Sequence, residues 1–129
     1  MTPLFHLVSG APDPVAPFSH AVEADGWIFL TGQMPFASTS IDEPYPQGIE
    51  AQTHQVIRNL DTVLRGLGVG LGNVVSARIF LTRFDEDYAP MNAVYASYFA
   101  EGRRPARTCI GVSALAKGAR VEIEFVARR

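Results

Sequence analysis

Apolar and polar positions follow two periods along this chain, and the switches between them outline its elements. Two short apolar runs, Phe18 to Val22 and Trp27 to Thr31, flank Asp25-Gly26, a dipeptide that accepts the positive φ of a two-residue turn, so a hairpin is predicted there. Between Ile49 and Leu67 the period lengthens. Ile49, Val56, Ile57, Leu60, Val63, Leu64 and Leu67 recur mainly at spacings of three and four, one stripe of a helix that Gly66 and Gly68 would end. Val74 to Thr82 returns to a period of two, with Val75, Ala77, Ile79 and Leu81 alternating against Ser76, Arg78, Phe80 and Thr82, and predicts a strand covered on one face.

A second helix is expected from a cap at Asp85 or Asp87 to about Ala100. Pro90 would fall in its first turn, and Tyr88, Met91, Tyr95, Tyr98 and Phe99 form an aromatic stripe that reads as core. Strands over Ala106 to Val112 and Ala119 to Ala127, joined by "SALAKG", close the chain. The segment up to Pro17 reads as an extended arm with turns, and Pro35 to Gln47, rich in Ser, Thr, Asp and Pro, as an exposed, mobile loop. The order strand–strand–helix–strand–helix–strand–strand indicates one α+β two-layer domain over residues 1–129, with both helices on one face of the sheet. The other face would leave aliphatic side chains in water, so a second copy of the chain is expected to cover it.

Composition narrows the function. With 129 residues, 47% of them hydrophobic and 19% charged, the chain supports one core of ordinary size. No apolar run approaches the ~18 residues of a membrane span, and the start lacks the basic and apolar regions of a signal peptide, so no membrane association and a cytoplasmic location are expected. A net charge of −2 lacks the basic surplus that nucleic-acid binding draws on, and the arginines 103, 104, 107, 128 and 129 read as a solvated rim. Cys109 is the only cysteine, and His6, His20 and His54 lie far apart, so neither a disulfide nor a metal site is expected.

Candidate chemistry gathers on the closing strands. Period two sends Val121, Ile123, Phe125 and Ala127 to one face and Glu122, Glu124 and Val126 to the other, and it places Arg107 and Cys109 together, opposite Ala106, Thr108 and Ile110. A guanidinium, a thiol and carboxylates could converge on one surface if the sheet brings those faces together. The competing reading is a plain cross-strand ion pair of Arg107 with Glu122 or Glu124, worth about 0.2–1 kcal/mol if exposed.

The segment "RRPARTCIGVSALAKGARVEIEFVA" resembles the C-terminal signature of the RidA (YjgF/YER057c/UK114) family, with its P-A-R, K-G and V-E-I-E elements. "APFSHAV", "LTGQMP", "EAQTHQVIRNLDTVL", "GNVVSARIFLT" and "MNAVYASYF" extend the likeness along nearly the whole chain in the family's order. The resemblance implies a chorismate-mutase-like fold assembled as a homotrimer, with sites in the clefts between subunits and no cofactor. In the family's arginine-containing branch it implies an enamine/imine deaminase that hydrolyses reactive 2-aminoacrylate-type intermediates to 2-oxo acids and ammonia. Arg107 matches the arginine that clamps the substrate carboxylate, and Glu122 the glutamate that activates water. Cys109 matches a position whose backbone contacts substrate, while Phe18, Thr31, Gly32 and Asn92 fall at site-lining positions. Three departures stand out: Phe18 replaces the tyrosine of many deaminases, Thr31 the usual serine, and Ala116 the proline before Lys117. Competing functions are a non-catalytic binder of small carboxylates and a pathway-specific deaminase acting on 2-aminomuconate or a pyrimidine-degradation intermediate.

Overall fold

Asp25 and Gly26 both adopt positive φ, 53° and 81°, in a computed structural model that describes residues 2–129. Two consecutive positive φ angles turn the chain tightly enough to pair Ala24 with Trp27. The expected hairpin therefore forms, as β2 (Ala21–Ala24) and β3 (Trp27–Leu30). The arm before it is not wholly irregular. Its residues Leu4–His6 form β1, a short antiparallel edge strand on β2.

The period-3.6 stripe becomes α1 (Ile49–Gly66), which buries Val56, Ile57, Leu60, Val63 and Leu64 completely. Its end is set by Gly68 at φ 79°, with the N–H of Gly68 donating to Arg65 O and that of Val69 to Leu64 O, so the last carbonyls are satisfied. β4 (Val74–Leu81) follows, then α2 (Phe84–Ala96), β5 (Ala106–Gly111) and β6 (Val121–Arg128). Both helices pack on one face of a six-stranded mixed sheet of order β1-β2-β3-β6-β4-β5. Ile28, Leu30, Ala77, Ile79, Leu81, Ile123 and Phe125 supply the sheet's side of the core.

α2 departs from expectation in three ways. It begins at Phe84 and ends at Ala96, and neither Asp85 nor Asp87 caps it. Asp87 is instead fully buried, where its carboxylate takes the Arg120 Nε–H at 2.9 Å and a second bond from Nη2. Pro90 consequently lies inside the helix rather than in its first turn, and the carbonyl four residues before it loses its N–H partner. Removing the charge of Asp87 leaves the half-shielded Arg120 guanidinium poorly matched. Asp87→Asn is expected to lower stability by about 1–3 kcal/mol, measured by urea unfolding.

The Pro35 to Gln47 stretch is also less exposed than its composition suggests. Phe36 is buried against Tyr45, and Asn59 of α1 donates to the carbonyls of Met34 and Phe36 at 2.9 Å each. A buried amide that reaches backbone 23 and 25 residues away is invisible to a local reading of polar composition.

Candidate functional site

β5 pairs in parallel with β4, with α2 as the crossover, and β6 pairs antiparallel on the other side of β4. The two closing strands are therefore not neighbours, and the cross-strand pair of Arg107 with Glu122 or Glu124 does not form. Glu124 faces Arg78 instead, with 2.5 Å between Oε1 and Nε. Register also decides the faces. Arg107 lies beside Ala77 and Cys109 beside Ile79, both core residues, so these side chains belong to the helix-covered side. Glu122 lies opposite Phe80 on the uncovered side. The convergence of guanidinium, thiol and carboxylate on one surface does not occur within one chain.

Two separate half-sites result. In the first, the Arg107 guanidinium carbon lies 5.1 Å from the ring centroid of Tyr95 and 5.8 Å from that of Tyr88, and its Nη2–H donates to the Tyr88 hydroxyl at a long 3.4 Å. Among the described residues it makes no ion pair. Its fork is free to receive an external anion. Arg107, Asn92, Tyr95, Ala96, Arg104 and Pro105 line an open cleft of about 340 Å³. Two polar atoms there, Asn92 Oδ1 and the Tyr95 hydroxyl, are buried without a partner. Cys109 sits next to this cleft, its thiol pushed above the ordinary range by burial despite the opposing charge of Arg107, which favours the neutral, unreactive form.

The second half-site is built around Glu122. A backbone bridge of Gln33 with Ile123 lays residues 31–33 along β6, and a side chain at Gly32 would place its Cβ 2.3 Å from Glu122 Oε2, so glycine leaves room for the carboxylate. Thr31 is held by its hydroxyl, which donates to Ser19 O at 2.6 Å. Phe18 lies beside Gly32 in a small pocket with Met34 and Phe36. Burial, and then the charge of Glu124, raise the Glu122 carboxyl above its usual range. Glu122 has no ion-pair partner among the described residues, which suits a group that must exchange protons.

The site residues expected from the sequence thus divide as Arg107, Cys109 and Asn92 on one side and Phe18, Thr31, Gly32 and Glu122 on the other. Tyr45, within the Pro35 to Gln47 stretch, lies close enough to Glu122 for that charge to add to burial in pushing its phenol up to about 12. The signal for it was slight: one aromatic in a polar stretch.

The family described as Endoribonuclease L-PSP has a model that matches residues 8–129, and the crystal structure of RidA from the Antarctic bacterium Psychrobacter superposes with a TM-score of 0.89 at 30% identity, over 98% of this chain and 99% of that one. The chain belongs to the RidA/YjgF family. Among RidA-family relatives, a RutC family protein of Synechocystis is 39% identical over 91% of this chain and 89% of its own. A mouse protein named 2-iminobutanoate/2-iminopropanoate deaminase is 35% identical over 91% of this chain and 84% of its own. The RidA fold accounts for the α+β, chorismate-mutase-like arrangement of two helices on one mixed sheet. Among the described residues no helix is long and apolar enough to cross a membrane, and no cluster of His, Cys, Asp and Glu could hold a metal ion.

Proposed function

We propose that this protein is an enamine/imine deaminase of the arginine-containing RidA branch, hydrolysing small 2-imino acids to 2-oxo acids and ammonia at sites shared between the subunits of a homotrimer. One observation carries the reading: an unpaired guanidinium and an unpaired, partly desolvated carboxylate lie on opposite faces of one sheet. Neither half is complete. A second copy bringing its Glu122 half to the Arg107 cleft of the first would assemble both, and it would cover Phe29, Trp27, Val75 and Ile110, which the single chain exposes by 51, 42, 41 and 46%. The name of the mouse relative supports the same chemistry.

Arg107 would hold the substrate carboxylate through two parallel charge-assisted hydrogen bonds, fixing the neighbouring C=N in one orientation. An enamine first gains a proton at its terminal carbon and loses one from its nitrogen to become the imine. Glu122 takes a proton from water as the oxygen adds to the imine carbon and passes it to the nitrogen, giving a neutral aminoalcohol. Glu122 then takes the hydroxyl proton of the aminoalcohol and delivers it to the nitrogen as the C–N bond breaks, so that ammonia leaves, the C=O forms and the carboxylate is restored. Overall, imine and water give 2-oxo acid and ammonia, and no electrons change hands. RNA cleavage, which the family description names, gains nothing from a chain of net charge −2.

The test is a coupled assay in which an amino-acid oxidase or dehydratase generates the imine. Adding this protein is expected to accelerate the appearance of ammonia and 2-oxo acid beyond spontaneous hydrolysis. Equal rates with and without it would overturn the proposal.

A further inference from the structure

The aromatic stripe on α2 reads from sequence as core, yet two of its members serve Arg107. Tyr88 and Tyr95 are seven residues apart, about two helical turns, and so share one face of α2. That face meets β5 where Arg107 emerges, with the guanidinium carbon within 6 Å of both ring centroids at 5.8 and 5.1 Å. Each ring has its own brace four residues away. Phe84 stacks on Tyr88 at 4.8 Å, and Phe99 packs on Tyr95 at 5.0 Å while itself touching Phe125 of the core at 6.1 Å.

We infer that Tyr88 and Tyr95 form an aromatic bracket that sets the plane of the Arg107 guanidinium and presents its fork to the ligand. The inference rests on the proposed role of Arg107 as a carboxylate clamp and adds two positioning residues to it. A guanidinium is flat and weakly hydrated, so it can lie against ring faces while its N–H edge still points outward; an ammonium has no plane to orient. Arg107 stands on an edge strand and has no carboxylate to anchor it. Without the rings its several side-chain torsions would be free, and each binding event would have to order them. The bracket does that ordering before the ligand arrives. Its effect therefore falls on affinity and KM more than on kcat.

The experiment titrates 2-oxobutanoate into the full-length protein by calorimetry and follows the Arg107 Nε–H resonance by ¹⁵N NMR. Tyr88→Leu is the main variant because Tyr88 is 38% exposed and its loss spares the core; Tyr95→Leu is its partner, and Tyr95→Phe restores the ring alone. Both leucine variants are expected to weaken binding about 2- to 30-fold, the span of a cation–π contact from exposed to desolvated, and to remove the ring-current shift of the Arg107 Nε–H signal. Tyr95→Phe should recover most of the affinity and keep the shift. If wild type and Arg107→Ala bind 2-oxobutanoate alike, the clamp itself fails and the bracket's role falls with it. If Arg107→Ala abolishes binding while the leucine variants change neither affinity nor resonance, the clamp stands and the bracket is overturned.

Discussion

Arg107→Ala is expected to lower kcat/KM for a small 2-imino acid about 10²- to 10³-fold, because it removes a paired charge-assisted contact to the one fixed negative group of the substrate. Arg107→Lys should recover little of this, since a point charge on a flexible stem cannot hold the carboxylate plane. Steady-state kinetics in the imine-generating assay reads both. The opposite-face placement of Arg107 and Glu122 sharpens the test. When separately inactive Arg107→Ala and Glu122→Gln chains are mixed, unfolded and refolded together, a site drawing its arginine from one subunit and its glutamate from another is intact about one time in four, by random assortment within a closed ring. Activity should return to roughly that fraction. A mixture as inactive as its components would show that both residues act from the same chain, contrary to the sheet register.

Glu122→Gln is expected to cut kcat about 10²- to 10⁴-fold, the usual share of a positioned acid/base, while leaving affinity for 2-oxobutanoate close to that of wild type. Retained binding with lost turnover separates a deaminase from a carboxylate-binding protein, the reading that the absence of a hydroxyl at Phe18 would favour. The pH dependence follows from the raised carboxyl. Only the ionised form can accept a proton from water, so kcat/KM should fall on the acid side with a midpoint above the ordinary 4.5, and the variant should lose that limb. Stability moves the other way. The folded chain holds this proton more tightly than the unfolded one, so the contribution is complete below pH 4.5 and disappears as pH rises through the raised value. Above the raised value the folded wild type therefore carries a partly desolvated charge that glutamine lacks. Thermal unfolding should show Glu122→Gln at least as stable as the wild type.

How much of this was legible in the sequence depends on whether the deciding force was local. The Asp25-Gly26 turn, the α1 stripe and the alternation of Val121, Ile123, Phe125 and Ala127 against Glu122 and Glu124 all follow from backbone geometry and burial period, and each appears as expected. Strand order does not follow from either, so the insertion of β4 between β5 and β6, and with it the separation of Arg107 from Glu122, could not be read. The family resemblance named candidate site residues but said nothing about which sheet face each occupies. Asp87 was misassigned for a related reason. An acid near a helix start looks like a cap until its partner, Arg120, arrives from 33 residues away. The role of Tyr88 and Tyr95 was hidden because a helix stripe of aromatics has the same spacing whether it meets aliphatic side chains or a guanidinium.

β6 lies between β3 and β4, with its even positions turned to the sheet face away from the helices and its odd positions sealed in the core. A slip of one residue along either neighbour would drive Val121, Ile123 and Phe125 into water, at about 1.5–3 kcal/mol each, and push two acids inward. Glu122 is thus moored by its neighbours' grease rather than by any bond of its own. Loops around it can change in composition while the carboxylate keeps its station.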